Sequence, residues 1–166
     1  MAIAIALPIL SVLLILQSAV FSRIVLLKGT ADLILLALIA WALDKRVKTA
    51  WHWCIIGGSL VSFVSAIPLA APLLGYLLAV GIVLMLRQRV WQVPILAMFV
   101  ATFFGTVIVQ LVEFIALRLS GASLPFFQSI NLVTLPSIML NLLLAIPFYA
   151  LFGDLANWLY PEELEV

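Results

Sequence analysis

Long, nearly uncharged apolar runs fill most of this chain, and they limit its fold more than any other feature. Of 166 residues, 67% are hydrophobic and only 9% are charged, whereas a soluble domain is nearer half apolar and a quarter charged. Such a chain cannot cover a globular surface with polar groups. A helix needs roughly 20 mostly apolar residues to cross a hydrocarbon core about 30 Å thick. The length therefore predicts about six spans in a single domain over residues 1–166.

The apolar runs divide into predicted spans that are joined by short loops. They are continuously apolar, whereas barrel strands alternate apolar and polar residues, so the pattern favours helices. The predicted spans are Ile3–Phe21, Ala31–Leu43, Trp51–Ser65, Leu73–Leu86, Val93–Leu117 and Ile130–Tyr160. The second is short unless it extends backward through Ile24–Leu27, and the last part of the sixth is either a continuation or a separate interfacial helix. We expect an all-α, polytopic integral membrane protein with about six transmembrane helices and short loops.

Lysine and arginine residues in the short loops predict the orientation. The loops after the second and fourth spans hold Lys45, Arg46, Lys48, Arg87 and Arg89. The opposite side holds Arg23, Lys28 and, near its edge, Arg118. Because basic residues are enriched in cytoplasmic loops, both termini are expected in the cytoplasm. The first run, Met1–Gln17, lacks a basic segment before it and is followed by further spans, so we interpret it as a retained helix and not a signal peptide.

Polar side chains inside the spans are the candidates for function, because charge is costly in lipid. Asp32 begins the second span, where an acid caps free N–H groups; binding of a partner or an ion is the alternative interpretation. Gln110 and Glu113 share a face of the fifth span. This spacing indicates a polar stripe toward a helix or cavity, unless Glu113 snorkels toward the loop. Asn141 is expected to hydrogen-bond across helices.

Small and aromatic residues give further expectations about packing. Gly57 and Gly58 belong to a small-residue face on the third span, as do Gly75 and Ala79 on the fourth, and small residues let helices approach closely. The chargeless turn between these spans, residues 66–72, predicts a tight hairpin. Aromatic residues near the predicted span ends are expected to act as interfacial anchors. They are Trp51, Trp53, Trp91, Trp158 and Tyr160.

The familiar motifs of catalysis and cofactor binding are missing from the sequence. It contains no GxxxxGK[ST], GxGxxG or HExxH, and the single residues His52 and Cys54 offer no metal-ligand spacing. A membrane-embedded lipid-modifying enzyme would need clustered acids, histidines or arginines, whereas here the acids are dispersed. The net charge of +1 provides no basic stripe for phosphates. We expect no enzymatic activity, no cofactor, no metal and no nucleic-acid partner.

The chain has a leucine-rich run after Asp32, a Pro-Leu turn at Pro68-Leu69 and a last span that contains Pro136 and Asn141. Together these features resemble the MreD family, the small membrane subunits of the bacterial cell-elongation (rod) complex. Ala31–Leu43 resembles the family's second span, in which Pro-Asp precedes a leucine-rich run that ends in an aromatic residue. Here Ala31 takes the place of that proline. Gly57–Gly75 resembles the next segment, with Pro68-Leu69 as its Pro-Leu turn, although the acid common before the turn is absent. The last span is similar in Leu135-Pro136-Ser137, Asn141 and Pro147.

The resemblance implies a non-enzymatic scaffold in the bacterial plasma (inner) membrane. It implies binding to the single-span protein MreC within the bilayer, which would couple MreB filaments to a RodA-type glycosyltransferase and the elongation-specific penicillin-binding protein. The subunit would thereby help to control cell shape and peptidoglycan synthesis. The alternative is the substrate-binding membrane subunit of an energy-coupling-factor-type vitamin transporter. That function requires a polar ligand pocket, for which Gln110, Glu113 and Asn131 are candidates.

Overall fold

The computed structural model describes residues 2–20, 26–68, 70–87, 93–122 and 125–161. The secondary-structure elements within these ranges are all helical. They are α1 (Ala2–Ala19), α2 (Leu33–Leu43), α3 (Ala50–Val64), α4 (Ala70–Arg87), α5 (Pro94–Leu119), α6 (Phe126–Ser129), a π-helical turn (Ile130–Thr134, the π turn) and α7 (Leu135–Leu159). The predicted all-α fold is confirmed. Arg23, Arg89 and Trp91, which the sequence arguments used, lie outside the described residues.

Four helical segments are long and apolar enough to cross a membrane. They are α1, α4, α5 and the continuous segment Phe126–Leu159, which joins α6, the π turn and α7. By contrast, α2 has 11 residues and α3 has 15, so they extend about 16 Å and 22 Å at 1.5 Å per residue. Both are shorter than the hydrocarbon core, which is about 30 Å thick. The protein is therefore a polytopic membrane protein whose long helices accompany two shorter ones.

The shorter helix α2 lies at the centre of the bundle. Every residue from Leu33 to Ala42 is buried, and α2 packs against α1, α3, α4, α5 and α7. Because all of its faces meet other helices, α2 is apolar all round and has no polar stripe. The leucine-rich run is therefore protein core and not a lipid-facing surface.

The chain that leads into α2 is not helical, so the predicted backward extension is wrong for its described part, Leu26 and Leu27. Leu26 and Gly29 form an isolated antiparallel bridge, and Leu27 has a positive φ of 57°. The backbone N–H of Lys28 donates to the carbonyl of Leu132 in the π turn at 2.9 Å. Such irregular backbone is tolerated in a membrane protein where other protein groups satisfy it.

Gly29 lets residues 26–32 lie directly against the continuous helical segment Phe126–Leu159. A Cβ atom at Gly29 would come within 2.6 Å of the Ser137 nitrogen, 2.7 Å of the Val133 oxygen and 2.8 Å of the Pro136 Cβ. Two of these are backbone atoms of the helix, which cannot turn aside as a side chain can. The close approach also allows the N–H of Thr30 to donate to Ser137 Oγ at 3.2 Å.

Arg87, at the end of α4, satisfies the opposite end of α2. Its Nη1 atom donates to the carbonyls of Ala42, Asp44 and Val47 at 3.1, 2.7 and 3.2 Å. The last carbonyls of a helix have no partner within the helix, and a cation suits the negative end of its dipole. In the same loop, burial opposes the charged form of Asp44, but hydrogen bonds from Arg46 outweigh it and lower the pKa of that carboxyl.

Proline positions account for several differences between the predicted and observed helix bounds. Pro72, predicted in a turn, lies in the first turn of α4, where a helix tolerates proline. The last helical segment begins at Phe126, directly after Pro125, whereas the predicted span began at Ile130. Helix α7 continues through Pro147 and Gly153 to Leu159, so a separate interfacial helix is not formed.

The small-residue faces of α3 and α4 pack closely, but against more than one neighbouring helix. A Cβ atom at Gly58 would come within 2.6 Å of Leu73 on α4, which confirms the close hairpin of α3 and α4. Gly57 instead faces Leu10 and side chains of α2. Gly75 approaches Val109, so the small-residue face of α4 packs against α5.

The aromatic residues near the span ends divide between core and surface. Trp51 and Trp158 are exposed, as interfacial anchors would be. Trp53 is fully buried, and its ring stacks on Trp41 at a centroid distance of 4.4 Å. Its Nε1 donates to the carbonyl of Ala2 at 3.0 Å. The anchor interpretation is therefore wrong for Trp53, because neighbouring helices cover it.

Replacing Gly29 with alanine should destabilise the protein by about 1–3 kcal/mol, since overpacking against fixed atoms costs this much. The measurement is the free energy of unfolding in mild detergent. The matched control is Gly153→Ala, because a Cβ atom at Gly153 meets nothing within 4 Å. Equal stability of the two variants would contradict the close packing of residues 26–32 on α7.

Candidate functional site

Polar side chains from four long helices converge on the amino-terminal end of α2. We call this set the polar cluster, and its members are Gln17, Asp32, Tyr76, Thr106, Ser137 and Asn141. They come from α1, the residue before α2, α4, α5 and α7. The first N–H groups of a helix have no partner within the helix, and the bilayer core provides no water to satisfy them. The cluster therefore satisfies backbone groups that would otherwise be unpaired inside the bundle.

Asp32 is the N-cap of α2. One carboxylate oxygen accepts from the N–H of Leu35 at 2.9 Å, and the other accepts from the hydroxyl of Tyr76 at 2.8 Å. The predicted capping role is confirmed. The role of Tyr76 was not anticipated from sequence; the available signal was a tyrosine in the middle of a span, where a buried hydroxyl usually has a partner.

Gln17 caps the same helix end from α1. Its side-chain oxygen accepts from the N–H groups of Leu33 and Ile34, at 2.8 and 3.3 Å. Gln17 and Asp32 thus share the free N–H groups of the first turn between them. A polar side chain on α1 is therefore needed because α2 begins inside the protein and not at a water interface.

Asn141 connects the cluster to α5 and α7. It is fully buried, its oxygen accepts from the N–H of Asp32 at 2.8 Å, and its amide nitrogen donates to Thr106 Oγ1 at 2.9 Å. The hydroxyl of Thr106 in turn donates to the carbonyl of Thr102 at 2.8 Å. The predicted hydrogen bond across helices is confirmed.

A cavity of about 270 Å³ lies beside the cluster, between α1, α3, α4 and α5. Asp32, Glu113, Gln17, Gln110 and Tyr76 all line it. The predicted polar stripe on α5 therefore does face a cavity. Asp32 and Glu113 are acidic lining residues of this cavity, and none of the described residues that line it is basic. The site therefore favours a hydrogen-bond donor or a cation.

Glu113 takes no part in the hydrogen bonds of the polar cluster. It is half-buried, and within the described ranges it makes no hydrogen bond or salt bridge. Arg118, five residues further along α5, is exposed. A spacing of five residues does not share a helix face well, so the failure of this pair agrees with helix geometry.

A larger apolar groove adjoins the cavity. It has a volume of about 540 Å³ and lies between α5 and the α6–α7 segment. Thr30, Gln110 and Glu113 line both the groove and the cavity. Phe114 and Phe126 stand across the groove, with their rings edge to face at 5.5 Å. One carboxylate is thus accessible from two sides, one polar and one apolar.

Two of the predicted site residues lie elsewhere. Gly57 and Gly58 pack within α3 against neighbouring helices and do not line the cavity or the groove. The cavity is lined by Asp32, Gln110 and Glu113. Asn141 lies beside it, because its side-chain oxygen accepts from the N–H of Asp32. In the part of the chain that the structure describes, no group of three His, Cys, Asp or Glu residues could hold a metal ion.

Comparison with family models, curated proteins and solved structures finds no match to this chain.

Replacing Asn141 with leucine should lower the free energy of unfolding by about 1–3 kcal/mol, because it leaves the buried N–H of Asp32 without an acceptor and removes the bond to Thr106 Oγ1. Thermal unfolding in detergent measures the effect. Leu143→Ala is the control, because Leu143 is exposed on the same helix. A loss no greater than that of the control would show that the cluster contributes little to stability.

Proposed function

We propose that this chain is a non-enzymatic scaffold subunit of the MreD kind in the bacterial inner membrane. The observation that carries the proposal is a contact between two segments that bear the resemblance. The backbone N–H of Asp32, which leads into the leucine-rich run, donates to Asn141 of the last span. The N–H of Thr30, directly before the resembling stretch, donates to Ser137. These pairs are 109 and 107 residues apart in sequence. Residues that resemble the family therefore form one hydrogen-bonded unit instead of scattered similarities.

The proposed work is to bind an MreC-like single-span protein within the bilayer. Through that protein it would connect MreB filaments with a RodA-type glycosyltransferase and the elongation-specific penicillin-binding protein. A scaffold needs a stable bundle and outer faces for other helices, since packing and hydrogen bonds drive helix association in lipid. The enclosed helix α2 supports the first requirement. Exposed apolar side chains such as Leu111 and Leu143 support the second.

The proposed orientation has both termini in the cytoplasm. Trp53 at the start of α3 bonds to Ala2, and Arg46 bonds to Asn157 near the end of α7. Both ends of the described chain thus lie beside the loop that carries Lys45, Arg46 and Lys48. Basic loops favour the cytoplasmic side, so this arrangement supports cytoplasmic termini.

The cavity favours a second candidate function, the substrate-binding membrane subunit of an energy-coupling-factor-type vitamin transporter. Its volume of about 270 Å³ and its polar lining suit part of a small ligand. Asn131, an earlier candidate for this pocket, is exposed on the π turn and lines neither cavity nor groove. Stabilisation of the purified protein by a vitamin at micromolar concentration would support this function over the scaffold.

The scaffold proposal predicts co-purification with a single-span, coiled-coil partner. Co-expression with the MreC-like protein of the same genome, followed by detergent pulldown, should retain that partner with the tagged chain. An unrelated single-span protein expressed at the same level serves as the control. Failure to retain the MreC-like protein, or equal retention of both, would refute the scaffold function.

Asp32→Asn separates capping from partner binding. Asparagine is an equally good N-cap. Its single side-chain oxygen can still accept from Leu35, and its amide NH2 can donate to the hydroxyl of Tyr76, so complex formation in the same pulldown should be unchanged. Loss of the complex with normal expression and normal thermal stability would instead assign a partner-binding role to the charge of Asp32.

A further inference from the structure

We infer that the groove between α5 and the α6–α7 segment receives the transmembrane helix of the partner, and that Glu113 pairs there with a basic side chain of that helix. The inference rests on the proposed scaffold function and adds the place and chemistry of the contact. It is supported by the shape of the groove, by the Glu113 carboxylate, which has no partner among the described residues, and by the charge of the surrounding residues.

The carboxyl group of Glu113 lacks a bonding partner among the described residues. An ionisable side chain within a membrane-spanning helix is costly and usually pairs with another group. Glu113 lies on α5, whose bounds are Pro94 and Leu119, about 9 Å before the end of the helix at 1.5 Å per residue. Its carboxylate has no hydrogen bond or salt bridge with any described residue. The described part of the fold thus leaves this carboxyl group without a partner.

The groove is long and has a mostly apolar lining. Its lining residues on α5 run from Phe103 to Leu117, a distance of about 21 Å at 1.5 Å per residue. That is well over half of the hydrocarbon thickness of about 30 Å. The lining is mostly apolar, with aromatic side chains at Phe103, Phe114 and Phe126. A groove of this length suits the apolar face of a helix, as in other helix-in-groove contacts.

The acidic lining of the groove and cavity suits a basic side chain on the partner. None of the described residues that line the groove or the adjoining cavity is basic, whereas Asp32 and Glu113 are both acidic. A lysine or arginine on the partner helix can lay its apolar stem along the groove and bring its charged end to Glu113. Pairing in a medium of low dielectric is stronger than in water. A basic residue at this depth would therefore specify both the partner and its register.

A charge exchange tests the pairing in the detergent pulldown. Glu113→Lys should reduce retention of the co-expressed single-span partner at least tenfold. Changing the partner's transmembrane lysine or arginine to glutamate should restore retention with Glu113→Lys. The matched control is Asp154→Lys, which reverses an exposed acid on α7 and should leave retention unchanged. Thermal unfolding of each variant separates loss of binding from loss of folding.

Photo-cross-linking tests the location without altering Glu113. A photoreactive residue at Leu111, which is exposed and lines the groove, should cross-link to the partner helix. The same residue at Leu78, exposed on α4, should not. Retention that survives Glu113→Lys, or cross-links from Leu78 alone, would overturn this inference and leave the scaffold function standing. Cross-linking of Leu111 to lipid alone, with the partner retained, would also overturn it. A wild-type chain that retains no partner would refute the scaffold function itself.

Discussion

Hydrogen-bonding of the two ends of the buried helix α2 is the constraint on which the rest of the structure depends. The helix begins inside the protein, where neither water nor lipid can satisfy its first backbone N–H groups. Gln17 and Asp32 accept from its first N–H groups, and Arg87 donates to carbonyls at the other end. Because these side chains come from α1 and α4 as well as from the loop before α2, capping one short helix fixes the positions of long ones.

The candidate site is a consequence of the same arrangement. A helix too short to cross the bilayer leaves its N-cap, Asp32, at depth in the bundle, with a cavity beside it. Residues 26–32 reach that depth as irregular backbone only because Gly29 permits close contact with the helix that contains α7. Glu113 lines the same cavity yet takes no part in the capping bonds. The polar side chains here therefore separate into the polar cluster, whose bonds satisfy the fold, and the carboxylate of Glu113, which has no bond among the described residues.

Capping and cross-helix bonding were predictable from sequence because each follows from local chemistry. An acid before an apolar run caps a helix, as Asp32 does, and an amide in a span seeks a partner, as Asn141 does. The partners themselves were not predictable. The bonds from Tyr76 to Asp32 and from Gln17 to α2 depend on which helices are neighbours. Trp53 was misjudged for the same reason, since only a neighbour could turn an interfacial position into core.

By itself, the sequence determined that this protein is a bundle of apolar helices in a membrane, because no other solvent suits so apolar a chain. It also determined where most helices lie, through the apolar runs and the charges between them. Only the tertiary structure decided that Leu33–Ala42 is core while Leu111 and Leu143 are exposed. In lipid, buried and exposed side chains are equally apolar, so the distinction leaves no mark on hydrophobicity. The depth of Asp32 and the unpaired state of Glu113 were decided at that level as well.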